Sequence, residues 1–263
     1  AIGSSMFHPT SAGMVSLFAG RKLGLSLSIF SMGGTLAFAV GPLFISAVVD
    51  FFGLGATVYT MIIGLVAVLF ISRVLPHPRT GQLKNLGFLN SMKEALGPVW
   101  RSLFVLWLLM VLRSYVGQSF LTFIPVLYSQ EGHSLLSIGT VVSLFTIAGT
   151  LSGLLAGHIS DKLGYKPVFF AAFILATPAL YLLLLLGGKL IYLGSFIGGF
   201  FIFATMPLGV AIAQELAPKS RSMASSLMMG FAYGTGGMLA PITGSLADMY
   251  SIRTVLTVLA CIP

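Results

Sequence analysis

Gly157-His158-Ile159-Ser160-Asp161-Lys162-Leu163-Gly164-Tyr165-Lys166 separates two strongly apolar stretches, 135–157 and 167–187. A carboxylate and two lysines are set between and just beyond two glycines. The segment reads as a short polar loop joining two membrane-crossing helices. Gly164 permits a positive φ at the turn, and the charge of Asp161 suits a helix N-terminus or a basic neighbour. An ordinary polar turn with a basic bias would use the same residue types, so the weight of the segment depends on its surroundings.

Those surroundings are apolar almost throughout. Of 263 residues, 57% are hydrophobic and 8% charged, with mean hydropathy +1.01, whereas about a quarter of a soluble domain is charged. Apolar stretches recur that are long enough to cross roughly 30 Å of hydrocarbon as helices. The ten-residue alternation of a transmembrane barrel is missing from the sequence. An all-α membrane protein is therefore expected, with spans near 1–19, 23–49, 56–73, 102–128, 135–157, 167–187, 190–214, 222–247 and 253–263. The first and last fall at the ends of the sequence and read as incomplete.

Charge gives the orientation. Loops on one side hold Arg21, Lys22, Arg73, Arg79, Lys84, Lys93, Arg101, Lys162, Lys166, Lys219 and Arg221, against Lys189 and Arg253 on the other. Basic residues collect in cytoplasmic loops, so the first side is expected in the cytoplasm of a multi-pass inner-membrane protein. The net charge of +8 is thus topological, and no basic run exceeds two residues, so nucleic acid is not an expected partner. Cys261 is the sole cysteine, which excludes an internal disulfide. No cleavable leader is legible.

The longest loop carries Pro76, Pro78, Gly81, Gly87, Gly97 and Pro98 and reads as a cytoplasmic linker over 76–101. It divides a bundle at 1–75 from one at 102–263. Three spans precede the linker and six follow. An internal repeat relates the two parts. Ala19-Gly20-Arg21-Lys22 with Gly33, Gly34 and Gly41-Pro42 matches Ala217-Pro218-Lys219-Ser220-Arg221 with Gly234, Gly236, Gly237 and Ala240-Pro241. Pro9 and Pro207 fall at the same offset of about 198 residues. Parallel halves of this kind are a transporter design. Matched halves imply about nine of twelve spans here, with three upstream ones absent.

With the repeat in place, the 157–166 segment resembles the Gly-x-x-x-Asp-Arg/Lys-x-Gly-x-Arg/Lys signature of the major facilitator superfamily. Gly3-Ser4-Ser5-Met6-Phe7-His8-Pro9, Ser28-Ile29-Phe30-Ser31-Met32-Gly33-Gly34, Ala213-Gln214-Glu215-Leu216-Ala217-Pro218 and Gly230-Phe231-Ala232-Tyr233-Gly234-Thr235-Gly236-Gly237 look like the fosmidomycin-resistance type within it. The resemblance covers nearly the whole chain. It implies a two-bundle helical transporter working by alternating access, most simply a proton-coupled drug exporter. It also implies a gate at Gly157, Asp161, Lys162, Gly164 and Lys166, with Asp161 holding the cytoplasmic end of the second span near Arg21 and Lys22. A facilitator for a sugar or organic anion is the alternative.

Four residues are cavity candidates. Arg113 lies mid-span, about ten residues from either end, where a charge costs about 3 kcal/mol or more. Its fork suits a phosphonate or carboxylate; pairing with an acid elsewhere is the structural alternative. Tyr115 and Gln118 follow it, Gln118 near enough in phase to share a water-facing side. His8 is ionisable within a span and precedes Pro9, which frees a backbone carbonyl; a histidine bonded to Ser4 or Ser5 is the bland reading. Gly33, Gly34, Gly41 and Pro42 are expected to pack helices closely and loosely resemble an antiporter motif. Glu215 is expected to pair with Lys219 or Arg221. A small molecule, protons and lipid are the implied partners, of a monomer without cofactor or metal. A serine hydrolase built on Ser4 or Ser5 with His8 or His158 is the rival reading, but the sequence has no Gly-x-Ser-x-Gly elbow. No soluble domain is present through which a membrane sensor would signal.

Overall fold

The computed structural model describes residues 2–74 and 97–263. Most of the expected linker, 76–96, lies outside the described residues. Helices α1 (Ile2–Phe18), α2 (Leu23–Phe52) and α3 (Met61–Val74) come first, with a 3-10 segment at Leu54–Thr60. After a short 3-10 turn at Gly97–Val99 come α4 (Trp100–Gln130), α5 (Leu135–Leu163), α6 (Tyr165–Leu185) and α7 (Ile191–Leu216). The chain closes with α8 (Arg221–Ser225), a π-helical stretch Ser226–Ala232, α9 (Tyr233–Met238), α10 (Ala240–Met249) and α11 (Ile252–Leu259). No strand occurs among the described residues.

Elements begin and end close to the expected spans, with two instructive differences. The first concerns the opening segment, expected as a loop. Helix α5 runs on through Asp161 to Leu163, and the break before α6 is Gly164 alone, at φ +90°. A positive φ is what glycine tolerates and other residues do not. The second is the stretch 222–247, which is interrupted rather than continuous. Its glycines weaken helix and Pro241 withdraws an amide. Prolines elsewhere (Pro9, Pro125, Pro178 and Pro207) sit inside unbroken helices.

Small residues set the helix spacing. A Cβ on Gly199 of α7 would lie 2.0 Å from the Phe145 carbonyl oxygen of α5, and one on Gly194 2.9 Å from Leu183 Cα of α6. On α9, Gly236 plays the same part against α4, where a Cβ would lie 2.6 Å from Ser114 Cβ. In lipid, where apolar burial gives little drive to associate, such backbone approach is the main source of packing energy. Two buried clusters result. One, around Leu27, Leu103, Phe169 and Leu208, lies toward the end carrying Asp161. The other, around Phe120, Phe145, Leu180 and Leu256, lies toward the opposite end. There Arg253 of α11 pairs with Glu131 and also donates to the Leu184 carbonyl, tying α11 to the ends of α4 and α6. By contrast, Leu54–Val74 has the highest apolar content of a crossing segment save one and no buried residue.

Candidate functional site

Asp161 forms a latch between α5 and α2. Its carboxylate accepts the Gly24 amide at 2.7 Å through Oδ1 and the Leu25 amide at 3.0 Å through Oδ2. These are two of the four N-terminal amides of α2 that have no partner within the helix, and a carboxylate there also meets the positive end of the helix dipole. The Tyr165 hydroxyl donates to Oδ1 at 3.2 Å and steadies the group. Helix crossing at this point is nearly backbone on backbone. A Cβ on Gly157 would lie 2.2 Å from Ser28 Oγ and 2.5 Å from the Gly24 oxygen. Gly164 supplies the turn. Lys162 and Lys166 are exposed, as are Arg21 and Lys22, so the partner of Asp161 is the α2 main chain rather than either cation.

A second set of contacts grips α1 at the same end. Arg221 Nη1 donates to the Ser16 carbonyl at 2.7 Å, Gln214 Nε2 to the Ala12 carbonyl at 3.2 Å, and Ser222 Oγ to the Pro9 carbonyl at 3.3 Å. Gln214 is fully buried and also donates to Ser225 Oγ at 2.7 Å. Among the described residues no ion pair joins Glu215 to Lys219 or Arg221: Glu215 is exposed and feels Lys166 and Arg221 only through their charge, while Arg221 takes the α1 carbonyl. The negative group thus holds the start of α2 and the positive group the end of α1, the arrangement that both helix dipoles favour.

Deeper in the molecule, Ser28, Ser31 and Thr35 of α2 face Thr146 and Thr150 of α5 across a groove floored by Phe203, Met206 and Pro207 of α7. The cavity within it measures about 50 Å³. Beside it lies Arg113, which is 2% exposed. Its Nε donates to the Ile202 carbonyl at 3.0 Å and its guanidinium carbon sits 5.2 Å from the Phe203 ring centroid. No acid pairs with it among the described residues, and Nη2 has no hydrogen-bond partner.

The other cavity candidates are not brought to Arg113. Tyr115 turns toward α10, where its hydroxyl accepts from Thr243 Oγ1 at 3.0 Å; Thr243 and Ser119 also share a hydrogen bond at 2.8 Å. Gln118 is half-buried. The shared water-facing side expected of Arg113 and Gln118 is not formed, because Arg113 turns into the α7 contact. His8 is half-buried with Nδ1 unpartnered, its ring 5.7 Å from Phe7 and 6.2 Å from Phe30. A Cβ on Gly33 or Gly34 would meet nothing within 4 Å, so neither is a packing glycine here. Gly41 and Pro42 lie within α2, and their side-chain surroundings, like those of Ser4 and Ser5, fall outside the described residues. His8 and His158 sit on different helices, and no hydrogen bond joins either to a serine among the described residues. The groove hydroxyls were missed in the sequence, although Ser31/Thr35 and Thr146/Thr150 at four-residue spacing mark one face of each helix.

Comparison with known proteins gives one family. The profile of the Major Facilitator Superfamily matches residues 1–241. The fosmidomycin resistance protein of Escherichia coli is 28% identical over 99% of this chain and 65% of its own length. An uncharacterized MFS-type transporter of Bacillus subtilis, YfnC, is 23% identical over 100% of this chain and 66% of its own. The chain therefore spans about two thirds of the curated relatives it matches. Over 55% of the chain, a putative glycerol-3-phosphate transporter of Arabidopsis thaliana is 26% identical across 31% of its length. Among solved structures, the MFS transporter FucP in the outward conformation superposes with TM-score 0.70 at 14% identity, covering 97% of this chain and 69% of that one.

Proposed function

Because the chain belongs to the Major Facilitator Superfamily, a family of multi-pass membrane transporters, we propose that it exports a small anionic molecule by alternating access, coupled to protons. The likeness to the fosmidomycin resistance protein of Escherichia coli supports export of this type. The end bearing Asp161 faces the cytoplasm of an inner membrane, and the two sets of contacts on α1 and α2 hold that end shut. When they release, helices on either side of residues 75–96 part, and the groove is reached from the cytoplasm.

The observation that carries the reading is the Asp161 carboxylate on the α2 amides, at 2.7 and 3.0 Å. It joins a helix before residues 75–96 to one after them through the main chain of one and a single side chain of the other, as a reversible gate requires. The anionic class is supported by Arg113, whose guanidinium lies within the spans with Nη2 unpartnered. A second reading, exchange of a small organic phosphate, draws on that same charge and on the likeness to a putative glycerol-3-phosphate transporter.

Accumulation of fosmidomycin in cells making the protein, with and without a protonophore, tests the proposal. Low accumulation that rises when the gradient collapses is expected. Accumulation unchanged in both conditions would remove the drug and the proton from the reading. Arg113→Ala is expected to weaken transport of anions more than that of cations.

A further inference from the structure

Resting on the anion reading above, we infer that the hydroxyl groove between α2, α5 and α7 is a recognition wall for hydrogen-bond donors. It takes the hydroxylated part of a small organic anion whose charged group meets Arg113.

The inference comes from where each hydroxyl proton goes. Ser28 Oγ donates to the Gly24 carbonyl at 2.8 Å, and Thr35 Oγ1 to the Met32 and Ser31 carbonyls at 3.1 and 3.2 Å. Thr146 Oγ1 donates to the Val142 carbonyl at 2.9 Å, and Thr150 Oγ1 to the Thr146 carbonyl at 3.3 Å. A hydroxyl has one proton and two lone pairs. Four of the five groove hydroxyls have thus spent their proton on their own helix and offer a ligand only lone pairs. Ser31 has no hydrogen bond among the described residues and remains adaptable.

Pro207 adds to this character. It has no amide hydrogen, so the Phe203 carbonyl one turn earlier lacks its helical donor. Both residues line the groove. Apart from Ser31, such a wall offers no proton to a phosphate or phosphonate dianion, which only accepts. It binds hydroxyl or N–H groups without breaking any bond already made. Residues four apart on a helix place their side chains about 5–6 Å from each other, a spacing that fits donors on a short carbon chain. Phe203, Met206 and Pro207 offer that chain an apolar floor.

Phe203 also joins the two parts of the site. It lines the groove, and the Arg113 guanidinium carbon is 5.2 Å from its ring centroid. Arg113 itself is buried and does not line the groove, so a ligand with donors in the groove reaches Nη2 with its anion only when the Phe203 ring swings aside, and then satisfies both the lone pairs and Nη2. Selection is therefore split: charge is read by one residue and hydroxylation by a different pair of helices.

The test compares glycerol 3-phosphate with propyl phosphate, which share a skeleton and differ in two hydroxyls. Binding of each to the purified chain in detergent is measured by equilibrium dialysis. The intact wall is expected to favour glycerol 3-phosphate by about tenfold, as two net hydrogen bonds allow. In Thr35→Val/Thr146→Val/Thr150→Val the preference should fall to about twofold or less while propyl phosphate binds as before, which also shows that the variant is folded. Equal affinity for the two ligands in the unaltered protein, or a preference that survives the triple substitution, would overturn the wall. Arg113→Gln separates the underlying reading. Weaker binding of both ligands at a constant ratio supports it. A constant ratio with neither weakened leaves the wall standing and removes Arg113 as the anion site. Failure of both phosphates to bind overturns the two together.

Discussion

Replacing Asp161 with Asn tests the latch at a single atom pair. The carboxylate accepts two α2 amides, one on each oxygen. Hydrogen bonds to a charged acceptor contribute about 1.5–3 kcal/mol each, neutral ones about 0.5–1.5 kcal/mol. Asn has one carbonyl oxygen, so one amide keeps a neutral bond and the other faces an NH2 group that cannot accept. The favourable end of the α2 dipole also loses its counter-charge, worth about 0.3–1 kcal/mol. A conservative total is about 2 kcal/mol lost from the closed arrangement, which at 1.4 kcal/mol per decade raises the open population about 30-fold. Leu27 is 1% exposed beside this crossing, and Leu27→Cys in a Cys261→Ser background gives a reporter smaller than the residue it replaces. Its maleimide labelling rate should rise about 30-fold when Asp161→Asn is added. Tyr165→Phe, which removes a donor to Oδ1 but none of the bonds that cross to α2, should raise it less than Asp161→Asn does. A labelling rate unmoved by Asp161→Asn in a protein of normal helicity would refute the latch.

Two further outcomes follow from contacts already described. Arg221→Gln withdraws the donor to the Ser16 carbonyl and should raise the same labelling rate, though less than Asp161→Asn, in which one bond is lost and a second is weakened. Gly236→Ala forces a Cβ to 2.6 Å from Ser114 Cβ and 2.8 Å from the Val111 oxygen; overpacking of this kind costs about 1–3 kcal/mol. Its melting temperature in detergent should drop, while Gly237→Ala, which meets nothing within 4 Å, should melt like the parent.

The crossing segments were legible because length and apolarity are what a membrane demands of a helix. Their polar ends were not. The last turn of α5 is as polar as a loop, and periodicity cannot distinguish the two; only Gly164, which must carry a positive φ, marks the actual break. Gln214 and Glu215 show a different limit. Adjacent polar residues on a helix point about 100° apart, and the sequence does not say which faces inward. The neutral amide went in because it finds two partners there, whereas a buried carboxylate would need a cation. Arg113 was visible as a charge in mid-span, but its neighbours are a carbonyl and a phenyl face on α7, groups that any sequence supplies everywhere. The groove hydroxyls were hidden by their abundance, since serine and threonine within spans commonly bond their own helix.

The latch between α5 and α2 is unequal in its exposure to mutation. Its receiving half is a pair of main-chain amides, which every residue but proline carries. Side-chain changes at Leu25, or at the nearby Arg21 and Lys22, leave those donors in place, and Gly24 is constrained by space alone, not by chemistry. The holding half is one carboxylate. Natural variation can therefore adjust the strength of this closure almost entirely at Asp161 and the residues that aim it, while the far side of the contact, Gly24 apart, drifts in sequence without losing the ability to be held.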